Sequence, residues 1–324
     1  MARARPTLSA PVGFNDRVRR SVVEALPDPV VRRVRSLRGH PEPRVVTLEE
    51  LDTQLEEAAQ LFSVSEDAAR AFLRGFRMAP PPGRPEDPFS DPYREWVWAL
   101  YHQVSGRPDY SIANEASPFD LEEAVAVPYP YSTGSTTVVG EELVARGFII
   151  STLGLSPPAR IVEFGSGWGN LTVDLATMGF EVTAVEVEER FCTLTERHNR
   201  RPDHLAVVRG GMLDFTTEVP FDAAIFYESF HHCSDHVEML RHLATIVRPG
   251  GKVVWAGEPV APMSYPWGLR LDGYSLWSTR THGWLELGFD ETYFAEILAR
   301  QGWRATRTRL PAGSPLADVI VATR

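Results

Sequence analysis

From about residue 159 to the C-terminus, short apolar runs alternate with helical periodicity, and this restricts the fold more than any other feature of the chain. Residues 161–164 read as a first strand, followed by Gly165-Ser166-Gly167-Trp168-Gly169 and a helix reaching Met178. Further strands fall at 182–187, 205–209, 221–227 and 252–256. Asp235 caps an intervening helix with Val237, Leu240, Ala244 and Val247 on its apolar face, stopped by Pro249-Gly250-Gly251. Asp290 opens a last helix closed by Gly302, and strands at 304–310 and 319–322 flank a turn rich in Pro and Gly. Alternating β and α units specify a doubly wound, mostly parallel sheet, here of seven strands in an α/β fold. Too few residues separate the last two strands for a helical crossover, so that pair is antiparallel.

Residues 41–115 carry a different pattern and read as helical. Thr47 and Glu50 form a capping box ahead of Leu48, Leu51, Leu55, Ala58 and Phe62 at helical spacing. Ser63 with Glu66 opens a second helix bearing Phe72, Leu73 and Phe76, which the run Pro80-Pro81-Pro82-Gly83-Arg84-Pro85 ends as a loop. The aromatic segment from Tyr93 to Tyr101 makes another helix. The chain therefore divides into a basic arm (1–40), a helical N-terminal region (41–127) that is a lid or an acceptor wall, and a core domain (128–324). Its 324 residues fit one α/β domain of about 250 residues with an extension, or two domains.

Composition excludes several functions. The net charge of -10 disfavours general nucleic-acid binding, which needs a basic footprint. The basic arm, with nine Arg against Asp16, Glu24 and Asp28, reads as a loosely docked segment. Arg19-Arg20 lacks the apolar stretch of an export signal, since Glu24 and Pro27-Asp28-Pro29 stand in its place, so a cytoplasmic location is expected. No apolar run approaches the ~18 residues of a membrane span. Cys192 and Cys233 lie far apart without a CxxC, which leaves neither a zinc ribbon nor a disulfide framework.

The glycine loop carries the chemistry. Glycines after a strand permit a tight turn and let a ligand approach main-chain N–H groups, at the carboxyl edge where open α/β sheets bind ligands. A glycine-rich turn without a ligand is the plainer alternative. Glu186, 21 residues beyond Gly165 at the end of the second strand, favours a nucleoside, because a carboxylate there accepts from both ribose hydroxyls.

The spacing Gly165-x-Gly167-x-Gly169, preceded by Glu163, differs from the dinucleotide G-x-G-x-x-G and resembles the first motif of the class I S-adenosylmethionine-dependent methyltransferases. The resemblance covers about residues 128–324. It extends to Asp214 after the third strand, Phe221-Asp222 opening the fourth and Arg248-Pro249-Gly250-Gly251 before the fifth. It implies S-adenosylmethionine as cofactor. Glu163, Gly165, Ser166, Gly167 and Gly169 would surround its methionine and ribose, Glu186 and Val187 the ribose, and Met212, Leu213 and Asp214 the adenine. Glu228 would stand beside the cofactor, and Tyr129, Tyr131, Ser132 and Thr133 either close over it or form a packing loop.

Tyr227-Glu228-Ser229-Phe230-His231-His232-Cys233-Ser234-Asp235-His236 follows the fourth strand at the switch point. Methylating a hydroxyl requires removal of a proton near neutral pH, so His231 or His232 is a candidate general base; the alternative is that the pair only shapes the loop. Glu228, His231, His232, Asp235 and His236 could also ligate a metal. Magnesium prefers carboxylates and water, and no carboxylate cluster is spaced for it, so metal independence is expected. Segment 260–289, with Tyr265, Trp267, Arg270, Asp272, Trp277 and Trp284, reads as an aromatic-rich acceptor-binding insertion suited to a sugar or natural product. The expected activity is O-methylation of a small-molecule acceptor, without nucleic-acid or membrane partners and with a homo-oligomer left open. An NAD-dependent oxidoreductase, or a module that binds the cofactor without methyl transfer, are the alternatives.

Overall fold

The computed structural model describes residues 42–116, 119–310 and 315–324. The basic arm and the turn at 311–314 lie outside the described residues.

The N-terminal region is not wholly helical. It begins with β1 (Arg44–Val46), α1 (Leu48–Phe62) and α2 (Glu66–Leu73), and then β2 (Phe76–Met78) pairs in parallel with β1. Strands of three residues are too short to show a period, and Phe76, expected on a helix, is buried on β2. The Thr47–Glu50 capping box forms on α1. The cap of α2 is Ser65 rather than Ser63; its side chain accepts from the Ala68 N–H, which moves the start two residues on. The aromatic helix α3 (Asp91–Ser105) and α4 (Leu121–Ala126) complete this region, with a short 3-10 turn over Ile112–Glu115 between them.

The core follows as α5 (Thr136–Leu153), β3 (Arg160–Phe164), α6 (Asn170–Met178), β4 (Glu181–Glu186), α7 (Glu189–His198), β5 (Leu205–Arg209) and β6 (Phe221–Tyr227). It continues through α8 (His236–Ile246) and β7 (Val247–Ala256). The insertion supplies β8 (Trp267–Leu269), α9 (Gly273–His282) and β9 (Leu287–Phe289), and α10 (Glu291–Arg300), β10 (Arg304–Arg309) and β11 (Asp318–Thr323) close the chain. The expected seven-stranded sheet is present in the order β10-β11-β7-β6-β3-β4-β5. β5, β4, β3, β6 and β7 are parallel, while β11 runs antiparallel to both β7 and β10. On α8 the buried face is His236, Met239, Leu240, Leu243 and Ile246, one position off the expected Val237 and Ala244. Val247 opens β7 instead of ending the helix.

Alternation along the central strands buries both sheet faces, as covered parallel sheets require. Ile161, Ala184, Ala223, Ile225 and Val254 point to the side covered by α5 and α6. Val162, Phe164, Ala224, Phe226 and Trp255 point to the other. That second core also takes in Leu51, Tyr93 and Tyr101 from the N-terminal region and Trp267, Leu276 and Phe289 from the insertion. The N-terminal helices and the insertion thus form one apolar body against one face of the sheet, and their rim stands beside its carboxyl edge.

Among the described residues, no helix is long and apolar enough to cross a membrane.

Candidate functional site

The topology fixes where a site can form. From β3 the chain steps to β4 and β5 on one side, then returns to β6 and β7 on the other, so β3 and β6 flank the switch point. The glycine loop leaves β3 there, and Glu228 ends β6 opposite it.

Gly167 adopts φ +49, and a Cβ on it would meet nothing within 4 Å, so its bare backbone faces open space. Its N–H donates to Glu186 Oε2 at 2.8 Å, while Glu186 Oε1 accepts from the N–H groups of Val187 and Glu188 at 2.8 and 2.9 Å. The carboxylate at the end of β4 therefore holds the loop open. Burial pushes it above the usual range against these three donors. A cavity of about 440 Å³ begins here, lined by Gly165, Gly167, Glu186 and Val187 and, across from them, by Met212, Leu213 and Asp214. An open glycine backbone, a strand-end carboxylate and an apolar slot closed by Asp214 fit a nucleoside.

Two of the expected cofactor residues have other roles or places. Gly169 lines neither cavity; its φ is +71, and a Cβ would stand 2.2 Å from Thr195 Oγ1, so it is a packing glycine between α6 and α7. Tyr131 is 47% exposed and borders neither cavity; Tyr129 takes that place, with its carbonyl accepting from Asn170 Nδ2 at 2.8 Å. Glu163 keeps the expected place, lining a neighbouring cavity beside Gly165 and Ser166; it is buried, accepts from the Thr172 hydroxyl, and burial pushes it up to about 8.

A second cavity, of about 530 Å³, continues from the first across Gly165, Glu228, His232 and Trp284, which line both. Its walls are polar: Ser166, His231, Arg270, Ser278 and Glu286, with Glu142 and Tyr227 on the far side. Tyr227 donates to Glu142 at 3.0 Å. Glu228 is the one non-glycine residue with positive φ among those described (+51). A non-glycine residue held there stores on the order of 1–3 kcal/mol of strain, a mark of functional sites. Burial, then Glu142 and Glu258, push its carboxyl up to about 8.

Both histidines reach this cavity, each backed by a carboxylate that sequence reasoning missed. Glu258, two residues past β7, accepts from the N–H groups of Ser229 and Phe230 at 2.8 Å and of His231 at 3.1 Å, and its Oε2 lies 2.8 Å from His231 Nδ1. Burial opposes its charge, but His231 and these N–H groups outweigh that and hold it below the usual range. Glu115, from the 3-10 turn of the N-terminal region, places Oε2 3.0 Å from His232 Nδ1, off the line of a hydrogen bond, while Oε1 accepts from Leu285 N–H at 2.9 Å. Burial disfavours a charged His232, yet Glu115, with Glu286 and Glu258 behind it, pushes it up to about 9. Glu286 Oε2 lies 4.0 Å from His231 Nε2 and 3.6 Å from an Arg270 guanidinium nitrogen. The only advance signal was position, since Glu258 stands just beyond a strand at the carboxyl edge.

Asp235 and His236 do not join the group. Asp235 caps α8 and binds Arg94 at 2.7 Å. His236 meets the Tyr293 hydroxyl at 2.7 Å, and burial pushes it down to about 3.

The insertion divides. Arg270 and Trp284 line the polar cavity, and the buried Trp284 Nε1 has no hydrogen-bond partner. Tyr265, Trp267 and Trp277, expected to touch the acceptor, pack instead. Tyr265 donates to the Leu269 carbonyl at 2.6 Å and Trp267 Nε1 to the Pro88 carbonyl at 2.9 Å. Trp277 packs against Phe62 in a tilted pair with ring centroids 5.1 Å apart. Large rings at the seam between two apolar layers gain more from burial than from lining a polar pocket.

Residues 162–255 match the methyltransferase domain family. The chain is 26% identical over 204 residues to demethylmenaquinone methyltransferase of Beutenbergia cavernae, covering 57% of this chain and 82% of that protein. It is 29% identical over 98 residues to ubiquinone biosynthesis O-methyltransferase of Xanthomonas campestris, covering 29% of this chain and only 41% of that protein's length. Among solved structures it is similar to 1,6-didemethyltoxoflavin-N1-methyltransferase of Burkholderia thailandensis, with a TM-score of 0.43, 21% identity, and coverage of 64% of this chain and 91% of that one.

Proposed function

We propose, on the premise that residues 162–255 belong to the S-adenosylmethionine-dependent methyltransferases, that this protein methylates an oxygen of a small polar acceptor, a sugar or a natural-product hydroxyl. The observation that carries this reading is the continuity of the two cavities. A nucleoside-shaped slot under Gly167 and Glu186 opens, past Glu228 and His232, into a polar chamber. The ubiquinone relatives, named as O-methyltransferases, favour oxygen as the acceptor atom.

S-adenosylmethionine supplies the methyl group as a sulfonium when bound. Gly165, Gly167, Glu186 and Val187 hold its ribose side, and Met212, Leu213 and Asp214 its base. Arg270, Ser278 and Glu286 orient the acceptor, and Trp284 walls it from water, so that positioning and desolvation lower the barrier. Held there, the cofactor would supply its methyl to the acceptor oxygen and leave as S-adenosylhomocysteine. The hydroxyl proton passes to the histidine pair. His231 suits it best, because Glu258 occupies Nδ1 and leaves Nε2 toward the chamber.

The test is product analysis after incubating the full chain with S-adenosylmethionine and a panel of hydroxylated sugars and aromatic natural products. The expected result is S-adenosylhomocysteine formed one-to-one with an O-methylated product. Binding without turnover on every acceptor would favour a non-transferring module, and binding of NAD in its place would return the oxidoreductase.

A further inference from the structure

Among the described residues, one imidazole nitrogen from each of His231 and His232 and one carboxylate oxygen of Glu286 lie within 4.8 Å of one another. We propose that these three side chains bind a divalent transition-metal ion, to which the acceptor oxygen coordinates. The inference rests on reading the polar chamber as the acceptor pocket.

The arrangement around the histidines supports a metal beyond their proximity. Metal-ligating histidines almost always commit their other ring nitrogen to a carboxylate or carbonyl, which fixes the tautomer and aims the ring. Here His231 does, with Glu258 2.8 Å from its Nδ1, and a carboxylate oxygen of Glu115 stands 3.0 Å from Nδ1 of His232, in ion-pair reach though off the line of a hydrogen bond. Glu258 also gathers the backbone N–H groups of Ser229, Phe230 and His231, so the turn bearing both rings is rigid. The ring centroids are 4.1 Å apart, so the two imidazoles lie side by side at the chamber. Glu286 comes from the insertion, so a metal would join it to the sheet.

Charge argues the same way. Glu115, Glu228, Glu258 and Glu286 surround two imidazoles and Arg270, and Arg270 is already shared with Asp272 at 3.1 Å. A buried group of carboxylates is costly unless paired or bound to a cation. Two imidazoles and one carboxylate suit zinc, cobalt, manganese or iron(II) better than magnesium. Three protein ligands leave open positions for the acceptor. The acceptor hydroxyl then releases its proton to solvent on coordination, and the metal-bound oxygen takes the methyl as the methyl–sulfur bond breaks. In the metal-free chain that proton falls to His231.

Cobalt(II) titration of the chelator-treated full chain, followed by visible ligand-field absorption and by zinc calorimetry, tests this. One ion per chain is expected, with affinity lowered at least about tenfold in His231→Ala, His232→Ala and Glu286→Gln, and lowered in Glu115→Gln. S-adenosylhomocysteine binding should be unchanged in Glu286→Gln, so a failure of metal binding and a failure of the cofactor reading are separately visible. The proposal is overturned if the wild-type chain binds neither ion stoichiometrically, or if binding survives unchanged in folded His231→Ala and Glu286→Gln. Thermal melts identify any variant that does not fold, and the wild-type stoichiometry then decides alone.

Discussion

His231 Nδ1 lies 2.8 Å from Glu258 Oε2, and both side chains are buried where β6 and β7 end. Because Glu258 also receives three backbone N–H groups, it sets both the shape of the turn and the direction of the ring. Glu258→Gln keeps an acceptor but loses the charge and introduces an NH₂ among donors. We expect the methyl-transfer rate to fall about 10- to 100-fold, with stability lowered by about 1–3 kcal/mol. Turnover and denaturant melts measure the two effects, and an unchanged rate would reduce Glu258 to a turn cap.

Glu186 ties β4 to the glycine loop and faces the nucleoside slot. Removing it in Glu186→Ala frees the Gly167 N–H and takes away the proposed ribose partner. Hydrogen bonds to a charged group contribute about 1.5–3 kcal/mol each, so S-adenosylhomocysteine affinity should drop by roughly 10- to 100-fold. Calorimetry reads this directly.

Two glycines two residues apart should respond differently. Gly169→Ala places a methyl against Thr195 at φ +71, so it should lower stability by more than about 1–2 kcal/mol. Gly167→Ala meets no protein atom and carries only the conformational cost, but its methyl enters the slot. Its melting temperature should stay nearer wild type while cofactor binding is lost. Equal effects on stability and binding in both variants would contradict this assignment.

Glu163 gives a signed pH dependence. Burial raises its folded-state carboxyl to about 8 from about 4.5. A raised acid favours the folded state fully below the unfolded value, and that advantage is lost as pH rises through the folded one. The Glu163 contribution to the stability of the cofactor-free chain should therefore decline between about pH 4.5 and 8. Glu163→Gln should make this part of the profile less steep, the slope that Glu228 contributes remaining, and gain relative to wild type at pH 8–9. Urea melts across that range measure it, and parallel profiles would show that Glu163 does not titrate there.

The sheet was legible because its signals are local. Residues 205–209 and 221–227 match β5 and β6, Asp235 caps its helix, and the short last connection forces the antiparallel pair. The pairing of the glycine loop with Glu186 was legible for the same reason, since Gly167 follows β3 and Glu186 ends β4. The acceptor half is assembled across the sequence. Glu115, His232 and Leu285 meet although they come from three separate segments, and an isolated Glu carries no periodicity to mark it. The aromatic richness of the insertion misled, because Tyr265, Trp267 and Trp277 answer to burial against the N-terminal helices. β1 and β2 escaped notice because three residues show no alternation.

The loop after β3 and the carboxylate ending β4 are proposed to grip a sulfonium nucleoside. Calorimetric titration of S-adenosylhomocysteine into the full chain, beside Glu186→Ala and Gly167→Ala, tests it most directly. One site per chain is expected, weakened in both variants, with no heat from NAD. Absence of binding to the folded wild-type chain, or equal binding by all three proteins, would contradict it.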